Sequence, residues 1–157
     1  MEGGALGNWI SAAATVVTAI VAIVAVAYAR RQVEMAQQST ALTTWDQYLR
    51  LCFDHPTYSS GDLVRPLMKD QTFRSVWDQG TEASEKYLWF LSITLNSCEK
   101  VLLNIKAPQE WWDTLAEQVE YHAEAMEELW PRWRKGYSEQ MDRLVQDGLA
   151  RASNAHS

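Results

Sequence analysis

Histidine and cysteine side chains are the first candidates for chemistry in this sequence. Cys52 and His55 lie three residues apart, a spacing at which a histidine could activate a thiol. Cys52 falls on the same predicted helical face as Trp45, however, and burial there disfavours the reactive thiolate. His55 precedes a proline at a helix end, where we expect it to cap or pack. His122 lies on an apolar helical face, so we interpret it as a core histidine.

Recognisable catalytic and metal-binding motifs are lacking. The sequence contains no HExxH, P-loop or GxSxG motif and no cluster of histidines and cysteines with metal-ligand spacing. We therefore expect no enzyme activity, and we predict neither a cofactor nor a bound metal.

A row of carboxylates is the most regular polar pattern. Its members recur at steps of three and four along one predicted helix and are Asp113, Glu117, Glu120, Glu124 and Glu127. Like charges at these spacings repel by roughly a few tenths of a kcal/mol per pair. This acidic strip can be a solvated face, a docking strip for a basic surface, or a funnel for cations. Arg132, Arg134 and Lys135 of a neighbouring subunit would supply such a basic surface.

An uncharged run near the start of the chain predicts how the rest of the protein is positioned relative to a membrane. Trp9 to Ala29 contains no Asp, Glu, Lys or Arg, and its 21 residues would make a helix about 31 Å long. A hydrocarbon core is about 30 Å thick. A signal peptide carries its positive charge before a shorter apolar run, whereas Arg30 and Arg31 follow this one, although Ala25-Val26-Ala27 resembles a cleavage site. We predict a retained membrane span rather than a signal peptide or a buried core helix.

The same arginines predict the orientation. Arginines beside a span favour the cytoplasm, and residues 1–8 contain no Lys or Arg. We therefore expect the N-terminus outside the bacterial inner membrane and the rest of the chain in the cytoplasm.

The span carries a row of small residues at steps of four and three. This small-residue seam consists of Ser11, Thr15, Thr18, Ala22, Ala25 and Ala29. Small side chains let helix backbones approach closely in lipid, and hydroxyl groups can bond across the contact. The seam predicts self-association of the span, with a pore lining as the further possibility and an ordinary alanine-rich span as the alternative.

Composition excludes some classes of partner. Asp and Glu outnumber Lys and Arg by 20 to 14, so the formal charge is −6. Direct nucleic-acid binding is not expected, because it usually requires a basic excess, and a polybasic clamp on anionic lipid is disfavoured for the same reason. We predict that Cys52 and Cys98 are reduced core residues of a cytoplasmic domain.

The rest of the chain has the period of helices throughout. A helix should continue from the span to about Phe53 and end at His55-Pro56, because the residue before proline avoids helical geometry. The stretch PTYSSGD is predicted to be a loop. Further helices are expected at about 69–77, at 81–103, from Pro108 with an end or kink at Pro131, and at 138–150.

We therefore predict an all-α fold in which one N-terminal transmembrane helix precedes a small helical bundle. The expected organisation is a short extracytoplasmic tail at 1–8, the transmembrane helix at 9–29, a cytoplasmic bundle at 30–151 and a flexible tail at 152–157.

Four stretches together resemble a widespread group of small, uncharacterised bacterial membrane proteins with a single span. They are RRQ after the span, WDQYLRLCFDHPTYSSGD (45–62), YLWFLSITLNSCEKVL (87–102) and YSEQMDRLV (137–145). The resemblance implies a bacterial origin and an all-α architecture, and it implies no activity.

These patterns leave three functional hypotheses. The first is a non-enzymatic homo-oligomer in the lipid bilayer, acting as a pore-forming or membrane-perturbing effector of the kind used in antiphage defence. The second is a membrane anchor or regulatory subunit whose helical domain docks a cytoplasmic protein partner. The third, a hydrolase of unrecognised chemistry, ranks last.

Overall fold

The computed structural model describes residues 3–69, 82–106 and 108–155; among side chains before Ala12, that of Trp9 is described. Within these ranges almost every residue is helical and no strand occurs, so the predicted all-α class is confirmed. The α-helices of the described ranges are α1 (Gly3–Asp54), α2 (Pro56–Ser59), α3 (Gly61–Lys69), α4 (Glu82–Asn104), α5 (Pro108–Tyr121), α6 (Ala123–Trp133) and α7 (Glu139–Ala155). A 3-10 turn, Arg134–Gly136, follows α6.

The first of two structural units covers Met1–Gln37 and is formed by the N-terminal part of α1. All its side chains from Ala12 to Gln37 are exposed. The segment Ala12–Asp54 reaches a mean hydropathy of 2.3 over 18 residues, none of them buried, and is the one helix of the described ranges that is long and apolar enough to cross a membrane. The long apolar N-terminal helix of the prediction is therefore present.

The second unit covers Gln38–Ser157 and contains the core. From α1 the core takes Ala41, Trp45 and Tyr48, spaced at four and three residues. The predicted stripe on α4 is buried, which confirms α4 as a central helix; its members are Leu91, Leu95, Cys98 and Leu102. The largest buried apolar side chains of α5 to α7 are Leu115, Val119, Met126, Leu129, Trp130, Met141, Leu144 and Val145.

Tryptophans occupy both the core and the surface. Trp45 and Trp130 are 7% and 2% exposed, and the ring of Trp45 meets that of Trp111 edge to face at 5.8 Å. The indole N–H of Trp130 donates to Asp142 Oδ1 at 2.7 Å, so burial of this ring leaves its polar atom paired. Trp89, by contrast, is 69% exposed on α4.

Of two stretches before α4, one differs from the prediction and the other lies almost entirely outside the described residues. PTYSSGD was predicted to be a loop, which is wrong: Pro56 starts α2, where a proline is tolerated because the first helical N–H needs no partner, and α3 begins at Gly61. The helix expected at about 69–77 lies, apart from Lys69, outside the described residues.

The predicted continuous helix from Pro108 is also divided. It starts at Pro108 as expected, but α5 ends at Tyr121 and α6 begins at Ala123. The N–H of His122 bonds to the carbonyl of Val119, three residues back, which marks a tightened turn between the two helices. Pro131 lies inside α6, which ends only at Trp133.

The start of α7 is stabilised from α4. Glu99 Oε1 accepts the backbone N–H of Ser138 at 2.9 Å, and Ser138 Oγ accepts the N–H of Met141 at 3.2 Å. A carboxylate at this end also complements the helix dipole. The helix then continues through Ala155, beyond the predicted end at 150, and Ala152, which was assigned to a flexible tail, is buried.

Candidate functional site

The small-residue seam lies on the exposed surface of α1. Thr18, Ala22, Ala25 and Ala29 are all exposed, and the side chain of Ser11 lies outside the described residues. Thr18 Oγ1 donates to the carbonyl of Ala14 at 2.9 Å, so this hydroxyl is satisfied within its own helix. A shallow hollow lies beside Ala22 and is lined as well by Ile23, Val26, Ala27 and Arg30. Of the described seam residues, Ala22 alone borders this hollow.

The acidic strip is divided between two helices and two environments. Asp113 Oδ1 lies 2.6 Å from Arg151 Nη2 of α7, so its charge is compensated within the chain. Glu117 accepts the hydroxyl hydrogen of Tyr121, and this bond, together with burial, raises the pKa of Tyr121 to about 12. The strip is therefore not one uniform face, because the turn at His122 separates its last two members from the first three.

The remaining three acidic residues, Glu120, Glu124 and Glu127, line a cavity of about 280 Å³, which we call the acidic cavity. Arg65 of α3 contributes a single positive charge, and Met68 and Ala152 contribute apolar surface. Three carboxylates against one guanidinium favour a cationic occupant. Sequence spacing identified the carboxylates, but Arg65 and Ala152 reach the cavity only because α3 and α7 pack there.

His122, which lies between the cavity-lining residues Tyr121 and Ala123 in the sequence, belongs to a buried polar pair. Tyr87 Oη is 2.9 Å from His122 Nδ1, and both residues are at most 1% exposed. Burial lowers the pKa of His122 to about 4, while burial and the charge of Glu124 raise the pKa of Tyr87. His122 is thus a neutral core histidine, as the sequence predicts, and its Nε2 has no hydrogen-bond partner among the described residues.

The thiols have the environment of structural cysteines. Both are free; Cys98 is buried and Cys52 is half-buried. Burial raises the pKa of Cys52 and raises that of Cys98 to about 12. Neither environment favours the thiolate that a nucleophile needs.

The pair Arg50 and His55 was missed at the sequence level, although its spacing is a readable signal. An arginine followed at this distance by a histidine occurs in the ribonuclease motif of some small helical domains. Both residues are exposed, Arg50 Nε donates to Asp46 Oδ2 at 3.0 Å, and the His55 ring stacks on Tyr58. His55 lies just beyond the end of α1, between α1 and α2, and the two side chains contact different neighbours, Asp46 and Tyr58. The same spacing recurs at Arg151 and His156, and His156 lies outside the described residues.

A mainly apolar groove lies between the end of α1, α2 and α4. Its volume is about 250 Å³, and we call it the aromatic groove after its lining, which consists of Leu51, His55, Tyr58, Lys86, Trp89, Phe90 and Ile93. No group of three or more histidines, cysteines or carboxylates that could hold a metal occurs in the described part of the chain.

No protein-family model matches this sequence, and no curated protein or solved structure shows significant similarity to it.

Proposed function

We propose that this protein is an oligomeric single-pass membrane protein that acts on the bilayer rather than on a substrate. The observation that carries the proposal is the first unit: from Ala12 to Gln37 every side chain is exposed, including a continuous series of large apolar residues. Exposed apolar surface of this extent is unfavourable in water and favourable in lipid.

The proposed orientation has the N-terminus outside and the helical bundle in the cytoplasm of a bacterium. It is supported by Arg30 and Arg31, which follow the uncharged run, and by Trp9 and Tyr28, whose rings suit the two interfaces. A reporter fused after Ser157 is expected to behave as cytoplasmic, with the apolar segment retained. Reporter activity on the outside, or a product cleaved near Ala27, contradicts the orientation.

Self-association of spans is the step that links this topology to an effect on the membrane. Without a hydrophobic driving force between helices in lipid, association depends on close packing, and small residues permit it. Ala22, Ala25 and Ala29 supply such a surface. A ring of spans would surround a narrow passage. Membrane-perturbing effectors such as those of antiphage defence share the architecture of one span and a compact helical domain; for this chain that role is an analogy of architecture.

Two measurements test the proposal together. The oligomeric mass of the full chain in nanodiscs is expected to exceed that of a monomer, and vesicles containing the chain are expected to leak ions. A monomer at all protein-to-lipid ratios contradicts the proposal. An oligomer that does not make vesicles leak ions contradicts the pore hypothesis and favours the alternative below.

The alternative is a membrane anchor whose bundle docks a cytoplasmic protein. The acidic cavity supports it, because Glu120 and Glu124 are half-buried beside Glu127 and a basic segment would compensate their charge. The partner surface can belong to another protein or to a second copy, since Arg132, Arg134 and Lys135 are exposed.

A further inference from the structure

The aromatic groove is rich in aromatic side chains. Four of its lining residues carry aromatic rings: His55, Tyr58, Trp89 and Phe90. The rings of His55 and Tyr58 stack with an interplanar angle of 25°, while Tyr58 and Phe90 meet at 53°. Walls of this kind accept a flat apolar ring, because offset stacking and edge-to-face contacts are both available.

The charged groups of the lining have one sign. Lys86 and His55 are its basic side chains, and none of the described residues that line the groove carries a carboxylate. This local sign is opposite to the formal charge of −6 on the whole chain. The groove therefore complements an anion, in contrast to the acidic cavity.

One carboxylate competes from outside the lining. Glu82 Oε1 lies 2.7 Å from Lys86 Nζ, with side chains 84% and 61% exposed. An ion pair this exposed contributes little, and an ammonium group has three donors, of which Glu82 uses one. Lys86 can therefore bind a second carboxylate without breaking its existing bond. Glu85 does not line the groove. It lines a separate depression together with Leu88, Trp89 and Ser92.

We propose that the aromatic groove binds a small aromatic carboxylate. The ring lies against Tyr58, Trp89 and Phe90, and the carboxylate accepts hydrogen bonds from the Lys86 ammonium group and a ring N–H of His55. The volume of about 250 Å³ admits a ligand of one or two fused rings. This site does not depend on the membrane function proposed above.

Calorimetric titration of the full chain in nanodiscs tests the proposal, with empty nanodiscs as the blank. The probe is naphthalene-2-carboxylate, and its charge-reversed control is 2-naphthylmethylammonium. The carboxylate is expected to bind at least fivefold more tightly than the ammonium compound. Equal binding of the two probes overturns the proposal, because a merely apolar hollow does not distinguish their charges.

Three substitutions are expected to change carboxylate binding in different ways. Lys86→Gln should weaken carboxylate binding at least fivefold, and Glu82→Gln should strengthen it about twofold by removing the competing charge. Lys100→Gln, an exposed lysine of α4 outside the lining, is the matched control and should leave binding unchanged. Equal losses in the Lys86 and Lys100 variants overturn the site assignment, as does a Glu82 variant that binds more weakly while its circular dichroism is unchanged. A change in oligomeric mass on Ile93→Glu, without loss of carboxylate binding, assigns the groove to a second copy and likewise overturns the proposal.

Discussion

The hydroxyl of Tyr87 and Nδ1 of His122 lie 2.9 Å apart in the core, where α4 meets the turn between α5 and α6. This hydrogen bond joins residues that are 35 positions apart in sequence. Burial keeps His122 in its neutral form, because a charged ring would be costly there and no carboxylate among the described residues bonds to it. The burial of this histidine makes the stability of the helical bundle sensitive to acid.

The free energy of unfolding should fall by about 2 kcal/mol between pH 7.5 and pH 5 through His122. The pKa of its side chain is about 4 in the folded chain, against an ordinary value of 6.5 for a solvated histidine. Between these values the unfolded chain binds a proton that the folded chain does not, so stability decreases as the pH falls. Denaturant unfolding of the full chain in nanodiscs, followed by tryptophan fluorescence, measures the slope. His122→Gln should remove this contribution, whereas His55→Gln, at an exposed position, should retain it; equal slopes in both variants contradict the assignment.

Gly148→Ala should destabilise the bundle by roughly 1–3 kcal/mol. A Cβ at this position would lie 2.7 Å from Cβ of Val119 and 3.0 Å from the carbonyl oxygen of Ala116, so α5 and α7 must separate. In an unobstructed helix the same change stabilises by about 1 kcal/mol, so the sign of the effect is diagnostic. Gly136→Ala, where nothing lies within 4 Å, is the control and should be close to neutral. A stabilised Gly148→Ala variant would show that the two helices are not in close contact.

Ala22→Leu should lower the oligomeric state of the full chain in nanodiscs, because added bulk prevents close approach of the backbones. Val24→Leu adds bulk on a different side of the span and should have little effect. If the oligomer conducts, ion leakage from vesicles should fall with the first substitution and persist with the second. Equal oligomeric masses for the two variants would show that the small-residue seam does not mediate self-association.

Glu120→Gln combined with Glu124→Gln should weaken binding of a basic partner or assembly of the bundle if the acidic cavity is a docking site. High salt should act in the same direction by screening. Glu128→Gln changes an exposed carboxylate of α6 outside the cavity and serves as the control. Unchanged assembly with a slightly higher melting temperature would indicate a solvated acidic face, since the substitutions relieve repulsion.

Arg50 and His55 provide a test for one enzyme activity, the cleavage of RNA. We expect no cleavage of a fluorescent single-stranded RNA by the full chain, because Arg50 is paired with Asp46 and the ring of His55 stacks on Tyr58. Cleavage that disappears in both Arg50→Ala and His55→Ala, and persists in Arg143→Ala, would establish a ribonuclease and overturn this expectation.

Local chemistry in the sequence was sufficient to predict the helical class, the long apolar helix and the starts of α4, α5 and α7 to within a residue. The uncharged run before Arg30, the Pro108 start and the stripe on α4 from Leu91 to Leu102 are periodic or positional signals, which depend on neighbours within a few residues. The loop predicted at PTYSSGD failed for two reasons: Pro56 is suited to the first turn of a helix, and α3 is stabilised by packing, with Gly61 and Val64 buried.

The sites were decided by tertiary structure. The spacing of the five carboxylates did not reveal that Asp113 pairs with Arg151, or that Arg65 enters the acidic cavity, because both partners come from other helices. The aromatic groove likewise combines Leu51 with Trp89, residues far apart in sequence that share no periodic pattern. Long-range packing brings such groups together, and a periodicity within one helix carries no information about which other helix will lie against it.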